Sequence, residues 1–474
     1  MKSPKRTKIV ATLGPATSSK ETLKQLILSG VNVCRINFSH GIHKDLAPLV
    51  QTIRDIDNEL GTHTGILGDL QGPKIRIGNL VSEPIALKAG HKIKFTTKAL
   101  LGDANKVHIN YESFPRDVSV GETILIDDGK LVFKVLETNG KDEVILESVY
   151  GGNLNSRKGV NLPDTKISLP SLTPKDLDDL QFAIEHRFHW VGLSFVRKAE
   201  DIVELRKIID KSGHDIRIIA KIEKPEAIIN LDDIIEATDG VMVARGDLGV
   251  EIPLEKVPLL QKEIVLKCQK MAKPVIIATQ MMESMIDNIT PSRAEVNDVA
   301  NAVMDGADAV MLSGETSVGE HPIEVIKVMS RIIKQTETFK GIYNVKFQPL
   351  INTQRFISDN ICFAALDLAE KVAAKAIVTM TFSGYTALKV ASFRPKSAVF
   401  VFTGNRRLLK TMSLVWGTRT HFYDKFTSTD QTIEDIKMVL KESEEMEEDD
   451  LVVNIASMPI KSKGNSNMIR LSYI

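Results

Sequence analysis

The chain has 474 residues, which is enough for two or three domains and a sizeable hydrophobic core. Its 61 basic and 61 acidic residues cancel, so no global field draws it to nucleic acid or to an anionic membrane. The three cysteines, Cys34, Cys268 and Cys362, lie far apart, which argues against a disulfide framework or a thiolate zinc site and favours a reducing cytoplasm.

The N-terminus is basic, and the apolar run that follows it is too short for the core of a signal peptide. No later apolar run approaches the length that spans a membrane. We therefore predict neither secretion by a signal peptide nor a membrane partner.

Eight apolar runs of strand length alternate with amphipathic helical patterns. The runs are Lys8–Gly14, Asn32–Phe38, Gly65–Leu70, Trp190–Phe195, Arg217–Glu223, Val241–Asp247, Pro274–Gln280 and Ala309–Glu315. This alternation predicts a closed (β/α)8 TIM barrel, whose active site lies at the C-terminal ends of its strands. Helix starts are predicted at Ser18 with Glu21 and at Ser292 with Glu295, which have the spacing of capping boxes.

Roughly a hundred residues separate the third run from the fourth, too many for an ordinary loop. Within residues 72–168 the β-like runs are His91–Thr97, Thr123–Ile126, Leu131–Leu136 and Glu143–Val149, which predict a small inserted β-barrel or β-sandwich. The insertion leaves and re-enters at the C-terminal end of the third strand, so we expect it to act as a lid over the active site. An insertion without function is the alternative. The barrel then comprises residues 1–71 and 169–341.

Residues 342–474 contain a second series of strand-length runs. These are Ala376–Met380, Ala398–Thr403, Thr418–Tyr423 and Leu451–Ile455, which alternate with helical patterns and predict a doubly wound α/β domain. The first run leads into a loop with Thr381, Ser383, Gly384 and Thr386 at the start of a helix. Such a loop can cradle a phosphate, but ordinary N-capping explains the same residues, and both interpretations stay open.

Charged residues end two neighbouring strands of the predicted barrel. Lys221 and Glu223 lie two positions apart and therefore point the same way, and Arg245 and Asp247 repeat this spacing. A strand, a helix and a strand form a parallel pair whose polar ends share one edge, so these four side chains are expected to converge. Salt bridges that merely finish the two strands are the alternative interpretation.

Two carboxylates on adjacent strands suit a hard divalent cation. Glu223 and Asp247 are the predicted ligands of Mg²⁺ or Mn²⁺. Mg²⁺ usually keeps several waters and takes substrate oxygens as its remaining ligands. Lys221, Arg35 and Arg76 would place positive charge around an anionic substrate, as phosphoryl transfer or enolate stabilisation requires. The chain has no G-x4-G-K-[ST] segment, which excludes a P-loop as the nucleotide site.

Nine ordered motifs carry a resemblance to a known family. They are TLGPAT, NVCRINFSHG, DLQGPKIRIG, KGVNLP, IAKIEKPE, MVARGDLGVE, ATQMMESM, PSRAEVNDVANAVMDGADAVMLSGET and TFSGYTA. With these motifs the chain resembles the pyruvate kinase family along nearly its whole length. The resemblance implies a three-domain fold and Mg²⁺-dependent phosphoryl transfer from phosphoenolpyruvate to ADP, which gives ATP and pyruvate in the final step of glycolysis.

The resemblance also implies roles for single residues. Lys221 stabilises the phosphoryl group in flight, and Thr279 lies close to where the enolate is protonated. The residues that bind phosphoenolpyruvate by similarity are Arg35, Lys221, Gly246, Asp247 and Thr279. The residues that look like nucleotide contacts are Asn37, His40, Arg76 and Lys158.

The motif of the third strand departs from the pattern of many family members. Those members have threonine, lysine and glutamate there and need K⁺, whose ligands by similarity match Asn37, Ser39, Asp69 and Leu70. Here Lys74 stands in place of the glutamate, which resembles the potassium-independent branch. A fixed ammonium at Lys74 would make a bound K⁺ redundant, so we predict activity without K⁺. A solvated Lys74 beside a normal K⁺ site is the alternative.

The TFSGYT loop is similar to the family's sugar-phosphate loop, whereas residues 459–467 match the usual effector loop poorly. A phosphorylated effector is therefore expected without an identity, and a homotetramer is carried over from the family. Two other functions remain open from sequence: a Mg²⁺-dependent aldolase or lyase acting on pyruvate-like enolates, and a non-catalytic metabolite sensor. The aldolase would not need the inserted lid.

Overall fold

A computed structural model describes residues 5–39, 41–349, 354–425, 428–458 and 465–474. The chain begins with strands β1 (Lys8–Thr12), β2 (Val33–Asn37) and β3 (Gly65–Asp69), which are connected by helices α1 (Lys20–Ser29) and α2 (His43–Leu60). Each strand lies inside its predicted apolar run. The three strands pair in parallel, so their C-terminal ends lie at one face.

The inserted domain follows β3 and is rich in strands. Its elements are β4 (Ile85–Leu87), β5 (Lys92–Thr96), β6 (Lys106–His108), α3 (Phe114–Asp117), β7 (Thr123–Ile126), β8 (Leu131–Thr138), β9 (Glu143–Ser148), β10 (Gly152–Leu154) and β11 (Val160–Asn161). Six strands form one sheet in the order β11-β7-β8-β9-β5-β6, and β4 pairs with β10. Phe95, Phe114 and Phe133 are buried in a core of its own. The predicted β-rich insertion is confirmed, and we call it the lid.

The barrel resumes after the lid. Its elements are α4 (Pro174–Glu185), β12 (Trp190–Leu193), α5 (Ala199–Lys211), β13 (Arg217–Ile222), α6 (Pro225–Ile229), α7 (Leu231–Ala237), β14 (Gly240–Ala244), α8 (Arg245–Glu251), α9 (Val257–Lys270), β15 (Val275–Ala278), α10 (Arg293–Asp305), β16 (Ala309–Leu312), α11 (Gly314–Ser317) and α12 (Pro322–Thr336). Eight parallel strands close in the order β1-β16-β15-β14-β13-β12-β3-β2. The predicted TIM barrel is confirmed.

The barrel strands are apolar because both of their faces are covered. All five residues of β14 are buried, one face by the helices outside and the other by side chains inside the barrel. Trp190 belongs to the inner cluster, which also includes Leu414 from the C-terminal domain. The core therefore fills the N-terminal part of the barrel and leaves polar side chains at the C-terminal ends of the strands.

The capping predictions had different outcomes. The Ser292 side chain accepts from the Glu295 N–H and the Glu295 carboxylate accepts from the Ser292 N–H, so the capping box of α10 is confirmed. The prediction for α1 was wrong by one residue, because Ser18 follows a short 3-10 turn and Ser19 accepts from the Thr22 N–H instead.

The C-terminal domain is an α/β domain, as predicted. Its elements are α13 (Phe356–Lys371), β17 (Ala376–Met380), α14 (Tyr385–Ser392), β18 (Ala398–Thr403), α15 (Arg406–Thr411), β19 (Thr418–Phe422), α16 (Thr429–Glu442), β20 (Leu451–Ala456) and β21 (Met468–Tyr473). The sheet order is β19-β18-β17-β20-β21. The first four strands are parallel, and β21, which was not predicted, pairs antiparallel to β20 at the edge.

The division of the chain at residues 71/72, 168/169 and 341/342 stays a prediction. Within the described ranges, every helix is too short or too polar to cross a lipid bilayer.

Candidate active site

A cleft lies between the C-terminal end of the barrel and the lid. The barrel contributes Phe195, Lys224 and Asp247 to its lining, and the lid contributes Asp128 and Asn161. The insertion therefore covers the end of the barrel where the predicted site residues are found. This position agrees with the expectation that the insertion acts as a lid.

Lys221 is at the centre of the polar cluster. Its Nζ lies 2.9 Å from Glu223 Oε1 and 3.1 Å from Asp69 Oδ1, and it donates a hydrogen bond of 2.8 Å to Ser194 Oγ. Burial by itself lowers the pKa of Lys221, but the attraction of Asp69 and Glu223 raises it above its ordinary value. Lys221 is therefore a permanent cation, suited to neutralising charge and unsuited to accepting a proton.

Glu223 and Asp247 are the predicted metal ligands. Glu223 is almost fully buried, and its second oxygen accepts a 2.8 Å hydrogen bond from the Phe195 N–H. Burial raises the pKa of Glu223, and the nearby charge of Asp247 raises it further, while Lys221 opposes both effects. A buried carboxylate beside a second carboxylate forms a site that gains from a bound cation.

The available ligands suit Mg²⁺ better than a metal ion that is coordinated by protein side chains alone. Among the described residues, no group of three or more His, Cys, Asp or Glu side chains could hold a metal ion. Mg²⁺ is usually bound through one or two carboxylates, with waters and substrate oxygens completing its coordination. Glu223 and Asp247 supply that pair.

Arg35 and Asp69 form a buried ion pair beside Lys221. Arg35 Nε donates to Asp69 Oδ2 at 2.8 Å, and another guanidinium nitrogen donates to Thr12 Oγ1 at 2.8 Å. Burial raises the pKa of Asp69, but Lys221 and Arg35 together lower it below its usual value. The strands β1, β2, β3 and β13 thus bring two cations to one point, as an anionic substrate requires.

Thr279 connects β15 to α8. Its Oγ1 accepts a 2.7 Å hydrogen bond from the Gly246 N–H and donates one of 2.6 Å to the Ala278 carbonyl.

The expectation that Arg245 joins the polar cluster was wrong. Its guanidinium pairs with Asp298 at 2.7 Å and donates to the Thr279 carbonyl at 2.8 Å, so it supports the turn from outside.

The predicted monovalent-cation region lies at the ends of β2 and β3. The Asn37 side chain accepts from the Ser39 N–H at 3.1 Å, and the buried Leu70 offers its carbonyl to the Ser194 hydroxyl at 2.6 Å. Lys74 forms no ion pair within the described residues. Its side chain packs close to Gly159: a Cβ added to that glycine would lie 3.6 Å from Lys74 Cε. It lines the same cleft as Asp247. A role for Lys74 as a built-in cation stays a prediction.

Two of the four predicted nucleotide contacts, Arg76 and Lys158, lie at the hinge of the lid, and Asn37 ends β2. Arg76 forms a β-bridge with Gly159, next to Lys158, whose Nζ pairs with Asp127 Oδ1 at 2.9 Å. Hydrogen bonding to Lys158 lowers the pKa of Asp127 below its usual value. The structure thus brings Arg76 and Lys158 together, while His40 lies outside the described residues.

The predicted effector loop precedes α14. Gly384 has φ 86° and caps this helix, and its N–H donates to Thr381 Oγ1 at 3.0 Å. Ser383 is exposed, whereas the buried Thr386 hydroxyl lies 2.7 Å from Ser466 Oγ. Thr386 therefore packs inward, and the exposed part of the loop is at residues 381–383. Residues 459–464 of the proposed effector region lie outside the described residues.

Ser194 has a contact that sequence reasoning did not assign. Its hydroxyl joins Lys221 to the Leu70 carbonyl. A serine directly after an apolar strand gives no signal for this contact, because the partner lies on another strand that is far away in sequence.

Comparison with known proteins shows the family. The sequence models "Pyruvate kinase, barrel domain" and "Pyruvate kinase, alpha/beta domain" match residues 4–326 and 359–472. A pyruvate kinase of Corynebacterium glutamicum is 42% identical over 470 residues, which cover 99% of this chain and 98% of that protein. A pyruvate kinase of Geobacillus stearothermophilus is 41% identical over 99% of this chain and 80% of that protein. The crystal structure of a pyruvate kinase from Cryptosporidium parvum has a TM-score of 0.92 and 35% identity, and the match covers 99% of this chain and 96% of that one. The chain belongs to the pyruvate kinase family.

Proposed function

We propose that the chain transfers the phosphoryl group of phosphoenolpyruvate to ADP with the help of Mg²⁺ or Mn²⁺ and releases ATP and pyruvate. The observation that carries this proposal is the position of Lys221, whose ammonium lies 2.9 Å from Glu223 at the C-terminal end of β13, the end of the barrel that the lid covers. An ammonium beside metal-binding carboxylates matches the charge that develops in this reaction.

Cleavage of phosphoenolpyruvate needs positive charge at two places: the phosphoryl group in transfer and the enolate that departs. Lys221 and Arg35 neutralise the phosphoryl oxygens, and Glu223 and Asp247 hold the metal. When bound, the metal supplies a Lewis acid for phosphate and enolate oxygens. Thr279 lies beside Gly246 and Asp247 at the part of the site where the enolate is protonated.

Phosphoryl transfer to ADP also requires that water is kept out, because water would otherwise take the phosphoryl group. The lid closes the cleft from above, and Arg76 and Lys158 at its hinge bind the nucleotide phosphates, with Asn37 and His40 as the further contacts that the family resemblance implies. Binding of the nucleotide draws Lys158 away from Asp127, with which its ammonium is paired at 2.9 Å.

We further propose that the reaction does not need K⁺. Lys74 lines the cleft together with Asp247, and among the described residues it has no carboxylate partner that would consume its charge. An ammonium in that position supplies the positive charge that K⁺ would bring to Asn37, Ser39, Asp69 and Leu70.

The test is pyruvate formation from phosphoenolpyruvate and ADP with Mg²⁺, coupled to lactate dehydrogenase. Rates are compared in K⁺ salts and in matched tetramethylammonium salts, with Lys221→Met as the control for contaminating host kinase. We expect equal rates in both salts and a loss of at least about a hundred-fold in the Lys221 variant. Activity only with K⁺ contradicts the Lys74 proposal, and folded protein without activity in either salt contradicts the proposed reaction.

Three further expectations belong to the same proposal. The chain forms a homotetramer, acts in the cytoplasm, and binds a phosphorylated effector at residues 381–386, where the start of α14 offers backbone N–H groups.

A further inference from the structure

Glu251 is a buried carboxylate outside the set of predicted site residues. It is 4% exposed, and its Oε1 accepts hydrogen bonds from Lys224 Nζ at 2.6 Å and from Asn161 Nδ2 at 2.8 Å. Its Oε2 is buried and has no hydrogen-bond partner within the described residues. A carboxylate in such surroundings is costly unless the partners it does have are well placed.

The two partners of Glu251 come from different parts of the molecule. Lys224 directly follows the metal ligand Glu223 at the end of β13, whereas Asn161 belongs to β11 of the lid. One oxygen atom therefore accepts from the barrel and from the lid at the same time.

Glu251 is also tied to the second metal ligand. Asp247 is in the first turn of α8 and Glu251 is its last residue, four positions later, so both side chains project from the same face of the helix. The ion pair between Lys224 and Glu251 thus fixes β13, which carries Glu223, to α8, which carries Asp247.

The hydrogen bond from Asn161 makes this arrangement sensitive to the lid. An amide that donates to a carboxylate forms a stronger bond than one between neutral groups. A lift of the lid would carry Asn161 away with β11 and leave Glu251 with Lys224 alone. A turn of the lid also lies close to α8. A Cβ added to Gly129 in this turn would lie 3.9 Å from Cγ1 of Val250, which belongs to α8.

We propose that Glu251 is a positioning residue that couples closure of the lid, through Asn161, to the alignment of the metal ligands Glu223 and Asp247. This inference rests on the proposed function, because it assumes that both carboxylates hold the metal. It assigns to Asn161 the role of a latch that holds the lid shut during phosphoryl transfer.

The first test is Asn161→Ala, with Asn153→Ala as the matched control. Asn153 is an exposed asparagine in β10 of the same lid, and its side chain has no hydrogen bond within the described residues. We expect kcat/KM for ADP to fall about ten-fold in the Asn161 variant and to stay unchanged in the control. Asn161→Asp places a carboxylate against Glu251 and should lower kcat/KM further. Circular dichroism at the assay temperature should show that every variant is folded.

A second readout separates the latch from a merely structural role. If the lid closes poorly, water reaches the phosphoryl group: the bond between phosphorus and the enol oxygen breaks, the water oxygen bonds to phosphorus, and the enolate takes a proton. Pyruvate and inorganic phosphate then form without ATP. We expect the ratio of pyruvate to ATP to exceed one in the Asn161 variants and to equal one in the wild type and in Asn153→Ala.

Mn²⁺ binding, followed by electron paramagnetic resonance in the presence of phosphoenolpyruvate, gives a readout without turnover. We expect a several-fold weaker affinity in Asn161→Ala, and no further loss when Asn161→Ala is added to Glu251→Gln. Suppose that the wild type is active and that Asn161→Ala cannot be distinguished from Asn153→Ala in any of the three readouts. This result contradicts the latch but leaves the proposed function standing. A wild type that forms no pyruvate contradicts the proposed function instead.

Discussion

At the scale of single residues, Glu223 carries a carboxyl whose surroundings raise its pKa. Burial raises this pKa, Asp247 raises it further, and Lys221 and the hydrogen bond from the Phe195 N–H act in the opposite direction. Under the proposed function, a proton and a metal ion compete for this carboxylate. As the pH falls through the raised pKa, the carboxyl becomes protonated and the metal loses a ligand. As the pH rises, the free carboxylate is restored.

This competition predicts how metal affinity depends on pH. We expect the affinity for Mn²⁺ to fall by up to about ten-fold per pH unit as the solution is acidified toward about pH 5. Because the pKa of Glu223 is raised, this fall should begin at a higher pH than it would for a glutamate with an ordinary pKa. Titration of the bound metal by electron paramagnetic resonance measures it. Glu223→Gln should bind Mn²⁺ weakly with a flatter pH profile, while Glu200→Gln, an exposed glutamate on α5, should behave as the wild type. A wild-type affinity that is constant over this range contradicts the prediction.

At the scale of elements, the end of β15 stores backbone strain. Thr279 and Gln280 have φ angles of 69° and 54°, and a β-branched residue in this left-handed region costs on the order of 1–3 kcal/mol. The conformation is held by the hydrogen bonds of Thr279 to Gly246 and Ala278 and by the donation from Arg245. The strain thus places the Thr279 hydroxyl at the start of α8, next to Asp247.

Removing that hydroxyl should affect activity much more than stability. We expect Thr279→Ala to lower kcat by about a hundred-fold, since the group beside the enolate is lost. The free energy of unfolding should fall by about 1–3 kcal/mol, which leaves the protein folded, because the hydroxyl's hydrogen bonds to Gly246 and Ala278 are both lost. Thr279→Ser keeps the hydroxyl and is the matched control, with kcat within about ten-fold of the wild type. Steady-state kinetics and urea unfolding measure the two quantities. Equal activity of the alanine and serine variants would contradict this role of Thr279.

The elements differ in how well the sequence predicts them, and the reason is burial. All eight barrel strands were predicted because strands covered on both faces are continuous apolar runs. Strand β21 was missed, since an edge strand in which Leu471 and Tyr473 are exposed has no such run. The prediction for Arg245 was wrong because side chains alternate between faces only within a strand. Strand β14 ends at Ala244, and Arg245 is the first residue of α8. The contacts of Ser194 and Glu251 connect distant parts of the chain, and no local pattern predicts them.

At the scale of the whole molecule, a buried ion pair connects the C-terminal domain to the N-terminal face of the barrel. Arg394 follows α14, and its guanidinium lies 2.9 Å from Asp308, which directly precedes β16. It also donates to the Gly306 carbonyl at 2.6 Å and lies 5.1 Å from the centroid of the Trp416 ring. Asp308 in turn accepts from the Trp416 N–H at 3.1 Å. The pair is therefore shared by both domains and shielded from water.

Loss of one partner of a buried pair leaves the other charge without compensation, which costs about 3–5 kcal/mol. We therefore expect Arg394→Met to lower the free energy of unfolding by about that amount, and to make urea unfolding biphasic as the C-terminal domain separates from the barrel. Lys371→Met is the control: Lys371 pairs with Asp367 on the surface of the same domain, with its side chain 72% exposed, and an exposed pair contributes little. Circular dichroism measures unfolding. If the two variants unfold at the same urea concentration, the interface does not depend on Arg394. Other contacts between the domains, such as the packing of Leu414 and the ion pair of Lys410 with Asp57, then suffice to hold them together.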